Sequence, residues 1–170
     1  TATINEKRLL YRVVNDKNPE AFGELYDRYV ARIYRFVFFK VASKEEAEDV
    51  TSEVFLKTWN YLTQHKKQAV QSFSGLVYKV ARNCLVDHYR QRSSKREASI
   101  ETIAEIGMAE ERYHSIAVEH EARAILLVLK KLKQEYQEVV LLRYIEDLSV
   151  REIAHILDKL QPEAGTGAVG

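Results

Sequence analysis

Glycine and proline are scarce, at six and two among 170 residues, and the paired turn dipeptides that mark β-hairpins are nearly missing. Both shortages disfavour β architectures. A single cysteine, Cys84, excludes an internal disulfide framework and fits a reducing compartment. No stretch reaches the roughly 20 consecutive apolar residues that a bilayer-spanning helix requires, and no charged flank leads into an apolar run at the N-terminus. The expectation is a cytoplasmic protein without membrane insertion, processed or a fragment because it opens on Thr1 rather than Met. An excess of one charge sign is lacking too, with 26 Lys and Arg against 25 Asp and Glu, so any nucleic-acid surface must come from how the charge is distributed.

What is present is apolar residue in quantity, 46% of the chain, and enough to bury a core. It recurs at helical spacing. After a short leading helix (about Ile4 to Val14), Asn18 and Pro19 form a cap and a first-turn proline, followed by Phe22, Leu25, Tyr26, Tyr29, Val30, Ile33, Tyr34 and Val37 on one stripe. Ser43 to Glu46 is a capping box opening a helix striped with Ala47, Val50, Val54, Phe55, Trp59 and Leu62. Thr63 to Gln71 is a polar connection. The next helix carries Phe73, Leu76, Val77, Val80, Ala81, Cys84, Leu85 and His88. From Ser93 to about Arg112 the periodicity fades and charge dominates, which reads as a linker. Beyond it, Ala122, Ile125, Leu126, Leu129 and Leu132 mark a fourth helix, and Tyr136, Val139, Val140 and Tyr144 a fifth ending near Ile145. A second capping box, Ser149 to Glu152, opens a short helix through Val150, Ile153, Ala154 and Leu157. The fold class is therefore all-α: a helical bundle over residues 1–92, a linker over 93–112, and a small helix-turn-helix-like domain over 113–170.

The polar faces carry the functional signal. On the third long helix, a turn of about 100° per residue sets Lys79, Arg82, Asn83, Val86, Tyr89 and Arg90 opposite the apolar stripe, with Arg92, Lys95 and Arg96 extending the row. Cations for phosphates interleaved with a ring for stacking, worth roughly 1 to 3 kcal/mol per base, suit single-stranded nucleic acid. The same pattern also describes a solvated basic face. The second long helix has the opposite polarity, with Asp49, Glu53, Leu56 and Asn60 together on its outer side. A leucine ringed by carboxylates suits a basic partner surface with an apolar anchor, or ordinary solubility with a local Glu53–Lys57 pair. Cys84, in the apolar stripe, reads as a buried structural thiol.

Four segments in order resemble the extracytoplasmic-function (group four) RNA polymerase sigma factors: AFGELYDRYVARIYRFVFFKV, EEAEDVTSEVFLKTW, FSGLVYKVARNCLVDHYRQR and LKKLKQEYQEVVLLRYIEDLSVREIAHIL. The resemblance implies sigma region two over 1–92 and a region-four-like domain after the linker. It implies docking on core RNA polymerase through Asp49, Glu53, Leu56 and Asn60. It also implies melting of the minus-ten promoter element, with the non-template strand held by Lys79, Arg82, Asn83, Tyr89, Arg90 and Arg92 and by the loop His65 to Phe73. An anti-sigma inhibitor is a further implied partner, while no cofactor and no enzymatic activity are implied. Two departures stand out. Ser52 replaces the glutamine common before the docking glutamate, and the tail after Leu157 carries Pro162, three glycines and one cation, Lys159, where the family has a basic recognition helix. Minus-thirty-five recognition is therefore expected to be absent or defective.

Two other readings compete. Glu111 to His114 and Glu152 to His155 have the E-x-x-H spacing of di-iron bundles, but no matching inward glutamates accompany them, and His155 points away from its helix's apolar stripe. The other is a duplex-DNA-binding helix-turn-helix regulator acting without polymerase docking.

Overall fold

A computed structural model describes residues 2–38, 40–64, 70–93, 128–129 and 131–157. Within them the chain is helical, and strands are absent among the described residues. α1 (Ala2–Asp16) lies on α2 (Pro19–Phe38), and α2 packs with α3 (Lys44–Gln64) and α4 (Phe73–Arg92) into a bundle. Further along come a short α5 (Gln134–Val140), a π-helical turn (Leu141–Ile145) and α6 (Val150–Leu157), which rests on α4.

Local chemistry sets the boundaries. α1 stops where Lys17 takes a left-handed φ of 51°, and the Asn18 N–H turns back to the Arg12 carbonyl at 3.4 Å. Asn18 then caps α2, its Oδ1 accepting the Ala21 N–H at 2.8 Å. At the head of α3, Ser43 Oγ accepts the Glu46 N–H at 3.1 Å, and the Glu46 carboxylate reaches back to the Ala42 N–H at 2.9 Å. Ser149 and Glu152 form the full reciprocal capping box, at 3.2 and 2.8 Å. Ser72 caps α4 by accepting the Gly75 N–H at 3.0 Å.

The stripes read from the sequence bury much as expected. Leu25, Ile33, Val37, Val54, Leu62, Phe73, Val77, Ala81 and Cys84 are all in one apolar cluster with Leu9, Leu10 and Val13 of α1. Phe73 sits at its centre, its ring 5.1 Å from Tyr29 and 6.2 Å from Phe22. Burial pushes the Cys84 thiol up to about 11, as expected of a structural thiol.

Several side chains depart from the periodic reading. Tyr78 and Phe36 are buried against each other, with ring centroids 5.5 Å apart, although neither belongs to the expected stripes. Tyr26 is on the stripe yet exposed, its ring packed edge-on over Phe55. Val150 is 73% exposed and Ile156 takes the inward place, because the capping box holds the first turn of α6 to Ser72 and Ser74 through polar contacts. The fifth helix is not a continuous α-helix. The Glu146 N–H bonds the Leu141 carbonyl at 3.1 Å, five residues back, and Tyr136, Val139 and Tyr144 are exposed while Leu142 is the buried residue. A widened turn shifts the angular register, so a 100° periodicity misassigns the face.

The expected linker after Ser93, most of the fourth helix, the loop from His65 to Ala69, and the tail after Leu157 lie outside the described residues.

Candidate nucleic-acid and partner surfaces

α3 presents Asp49, Glu53, Leu56 and Asn60 to solvent, as its 3.6-residue period dictates once Ala47, Val50, Val54 and Leu62 are buried. Leu56 is 60% exposed, a large apolar side chain with carboxylates one and two turns away. Glu53 is bound by Lys57 at 2.7 Å, and Lys57 also lies 3.5 Å from Asp87 on α4, so one edge of this face is tied to its neighbour helix. Ser52, beside Glu53, donates its hydroxyl to the Glu48 carbonyl at 2.9 Å.

On α4 the expected basic row is divided. Asn83 and Arg90 are exposed, and Lys79 is half-buried. Arg92 is exposed and reaches the Glu46 carboxylate at 2.8 Å. That carboxylate also lies 3.5 Å from His88 Nε2; burial would raise its pKa, but the Ala42 N–H, Arg92 and His88 together hold it below the usual range. Tyr89 is not the freely outward ring that helical periodicity placed there: it is half-buried and its hydroxyl donates to the Lys40 carbonyl. Arg82 is covered by the chain itself, its Nε bonding Glu138 Oε1 of α5 at 3.0 Å.

Glu138 belongs to a set of groups that periodicity did not single out. Lys40 approaches the same carboxylate at 3.9 Å and lies 4.5 Å from the Phe36 ring centroid. Burial pulls the Lys40 ammonium down, and Glu138 partly offsets this. Glu146, in the turn before α6, has only 4% of its side chain exposed. Such a carboxylate keeps its charge only if partners replace its water. Arg35 supplies a fork, with two contacts at 2.9 Å and one at 3.2 Å. Arg32 lies 3.7 Å from Oε2 and also donates to the Glu146 carbonyl, and the Tyr78 hydroxyl donates to Oε2. Burial first, and the Glu146 carboxylate second, strongly suppress Tyr78 ionisation. Asp147 follows with a left-handed φ of 54°, which closes the turn.

Glu152 forms the third contact of this kind. One carboxylate oxygen caps α6 while the other accepts the hydroxyls of Ser72, at 3.0 Å, and Ser74. Burial would raise its pKa, but the hydrogen bonds from Ser74, Ser149 and Ser72 outweigh that and lower it. Gly75 leaves room for the cap of α4, since a Cβ there would stand 2.9 Å from Ser72 Oγ, whereas its 3.8 Å from Glu152 Cγ would be ordinary contact. His155 is exposed, and Glu152 is committed to serines and a cap; among the described residues no cluster of metal-ligating side chains occurs. The pair Glu111 and His114 lies outside the described residues.

The family model for Sigma-70 region 2 matches residues 25–95, and that for Sigma-70 region 4 matches residues 122–159. The chain is 31% identical to the ECF RNA polymerase sigma factor BldN of Streptomyces coelicolor over 82% of its own length and 53% of BldN, so it spans about half of that relative. It is 27% identical to the ECF RNA polymerase sigma factor SigX of Bacillus subtilis, covering 81% of this chain and 73% of SigX. For SigM of the same organism the identity is 26%, covering 79% and 80%. Among solved structures, the RsbN–BldN complex matches with a TM-score of 0.42 and 27% identity, covering 89% of this chain and 85% of the matched chain. With both sigma region models matched in their natural order, and with relatives aligned along about four-fifths of its length, the chain belongs to the extracytoplasmic-function family of RNA polymerase sigma factors.

Proposed function

We propose that this chain directs core RNA polymerase to promoters, docking through the outer face of α3 and holding the unpaired strand of the minus-ten element along α4. The observation that carries the reading is the separation of the two faces. Asp49, Glu53, Leu56 and Asn60 stand on one helix, while Asn83, Arg90 and Arg92 stand exposed on the next. An acidic surface with an apolar anchor suits a basic protein partner, and a cationic one suits phosphate. Lys79, Arg82 and Tyr89 belong to the same strand-holding row. Of these, Arg82 needs its contact with Glu138 released before it can meet a phosphate. Tyr89, with its hydroxyl tied to Lys40, supports the row from the side rather than offering a free ring.

The activity is binding and strand separation, with no bond made or broken by the chain, and it places the protein with the chromosome in the cytoplasm. An anti-sigma protein is the natural inhibitor of such a factor. A helix-turn-helix regulator working on duplex DNA alone would leave the α3 face without a role. Run-off transcription separates the two readings: core enzyme supplemented with this chain should give promoter-dependent transcripts from a promoter library that core enzyme alone does not. Transcription no greater than that of core alone would contradict the proposal.

A further inference from the structure

The Glu46 carboxylate, in the first turn of α3, stands between two basic side chains of α4. Arg92 reaches it at 2.8 and 3.1 Å and His88 Nε2 at 3.5 Å, while the Ala42 N–H donates to Oε2 at 2.9 Å. The two are not equivalent. Arg92 is the last residue of α4, half exposed and part of the strand-holding row, whereas the His88 nitrogen is buried and makes no hydrogen bond. A buried nitrogen left unbonded beside a carboxylate calls for an explanation.

We infer that His88 is a proton-taking stand-in for Arg92: when a strand phosphate draws the guanidinium off Glu46, the imidazole takes a proton from solvent and donates a Nε2–H hydrogen bond to the carboxylate in its place. Strand binding thereby carries proton uptake with it. This rests on the reading of α4 as the strand-holding surface.

The exchange follows from the unequal burial of the partners. Arg92 is half open to water, so its ion pair is weak, and phosphate oxygens compete for the same guanidinium fork. Glu46 is different, with only 25% of its side chain exposed, and a carboxylate so placed is costly to leave without a cation. His88 stands one helical turn before Arg92 on the same face of α4, and an imidazole changes charge near neutrality, ordinarily at about 6.5. The neighbouring groups are committed elsewhere. Tyr89 meets the His88 ring edge-on at 6.1 Å and gives its hydroxyl to the Lys40 carbonyl, the Lys40 ammonium goes to Glu138, and Asp87 goes to Lys57. Among the described residues α1, α2 and α6 bring no ion-pair partner to His88. Because the complex then holds more protons than the free chain and strand, affinity rises as pH falls, and it declines as pH rises through the range in which bound-state His88 loses its proton.

Fluorescence anisotropy tests this on holoenzyme assembled from core enzyme and the full chain, with a labelled oligothymidine of about 12 nucleotides as the probe and core enzyme alone as the baseline. Titrations run at constant ionic strength from about pH 6.5 to about pH 8.5. Four chains are compared: the parent, His88→Gln, Arg92→Gln, and a control, His155→Gln, at an exposed position of α6. Across that range the parent and the control should each lose about tenfold more affinity than His88→Gln. Arg92→Gln should bind more weakly yet show the shallow dependence of His88→Gln, since His88 is then the counter-charge of Glu46 with and without the strand. A parent no steeper than His88→Gln, or Arg92→Gln as steep as the parent, would overturn the exchange and leave the strand-holding row standing. Parent holoenzyme that binds the probe no better than core enzyme alone would overturn both.

Discussion

Affinity for core polymerase is expected to fall at least about 100-fold when Leu56→Glu is combined with Asp49→Lys and Glu53→Lys, since a central apolar anchor contributes on the order of 2 kcal/mol and each reversed charge turns attraction into repulsion. All three side chains are exposed, so the bundle has no need of them. The single internal cost is the Glu53–Lys57 pair at 2.7 Å, replaced by like charges one turn apart, a loss of about 0.3 to 0.5 kcal/mol. Competition against labelled parent chain reads the affinity, and circular dichroism verifies the fold. A loss of less than threefold in a folded variant would remove the α3 face from the docking surface.

Phe73→Ala is expected to destabilise the chain by about 4 kcal/mol, within the range for deleting a fully buried phenyl ring. The side chain, at the start of α4, is completely buried, and its ring meets both Phe22 and Tyr29 of α2. Neighbours held in the packed joint between α2 and α4 have little freedom to collapse into the space. For a chain of this size the melting midpoint should drop by about 8 to 16 °C, measured by calorimetry. A drop of less than about 3 °C would mean that the joint between α2 and α4 is not the keystone described. Loss of this joint also loosens Ser72 and Ser74, and with them the seat of Glu152.

How far the sequence disclosed these features depends on the range of the interactions. Capping boxes at Ser43 and Ser149 are legible because both partners lie within four residues, and both are present. The outward set on α3 follows from a regular period that nothing interrupts. The fifth helix was misassigned because a π turn changes the angle per residue, and no local composition announces it, whereas Val150 stands exposed in the first turn of a regular helix whose Glu152 is held by Ser72 and Ser74 of α4. Arg82 illustrates the deeper limit. Its angle on α4 is outward from the apolar stripe, as the wheel requires, yet another part of the chain comes to cover it. The partners Arg35 and Glu146 lie 111 residues apart, and such pairings leave no periodic trace. A faint signal existed in Tyr78, a large aromatic beside the stripe with a hydroxyl in need of a partner.

Permanganate reactivity of promoter thymines in complexes assembled from core enzyme addresses the two-surface account most directly. With Arg82→Ala, Asn83→Ala and Arg90→Ala combined, core binding should stay within twofold of the parent while minus-ten reactivity falls by about tenfold or more, because lost phosphate and base contacts weaken only the strand-holding step. Reactivity equal to that of the parent, or a parallel loss of core binding, would contradict the assignment of strand and polymerase to different helices of the bundle.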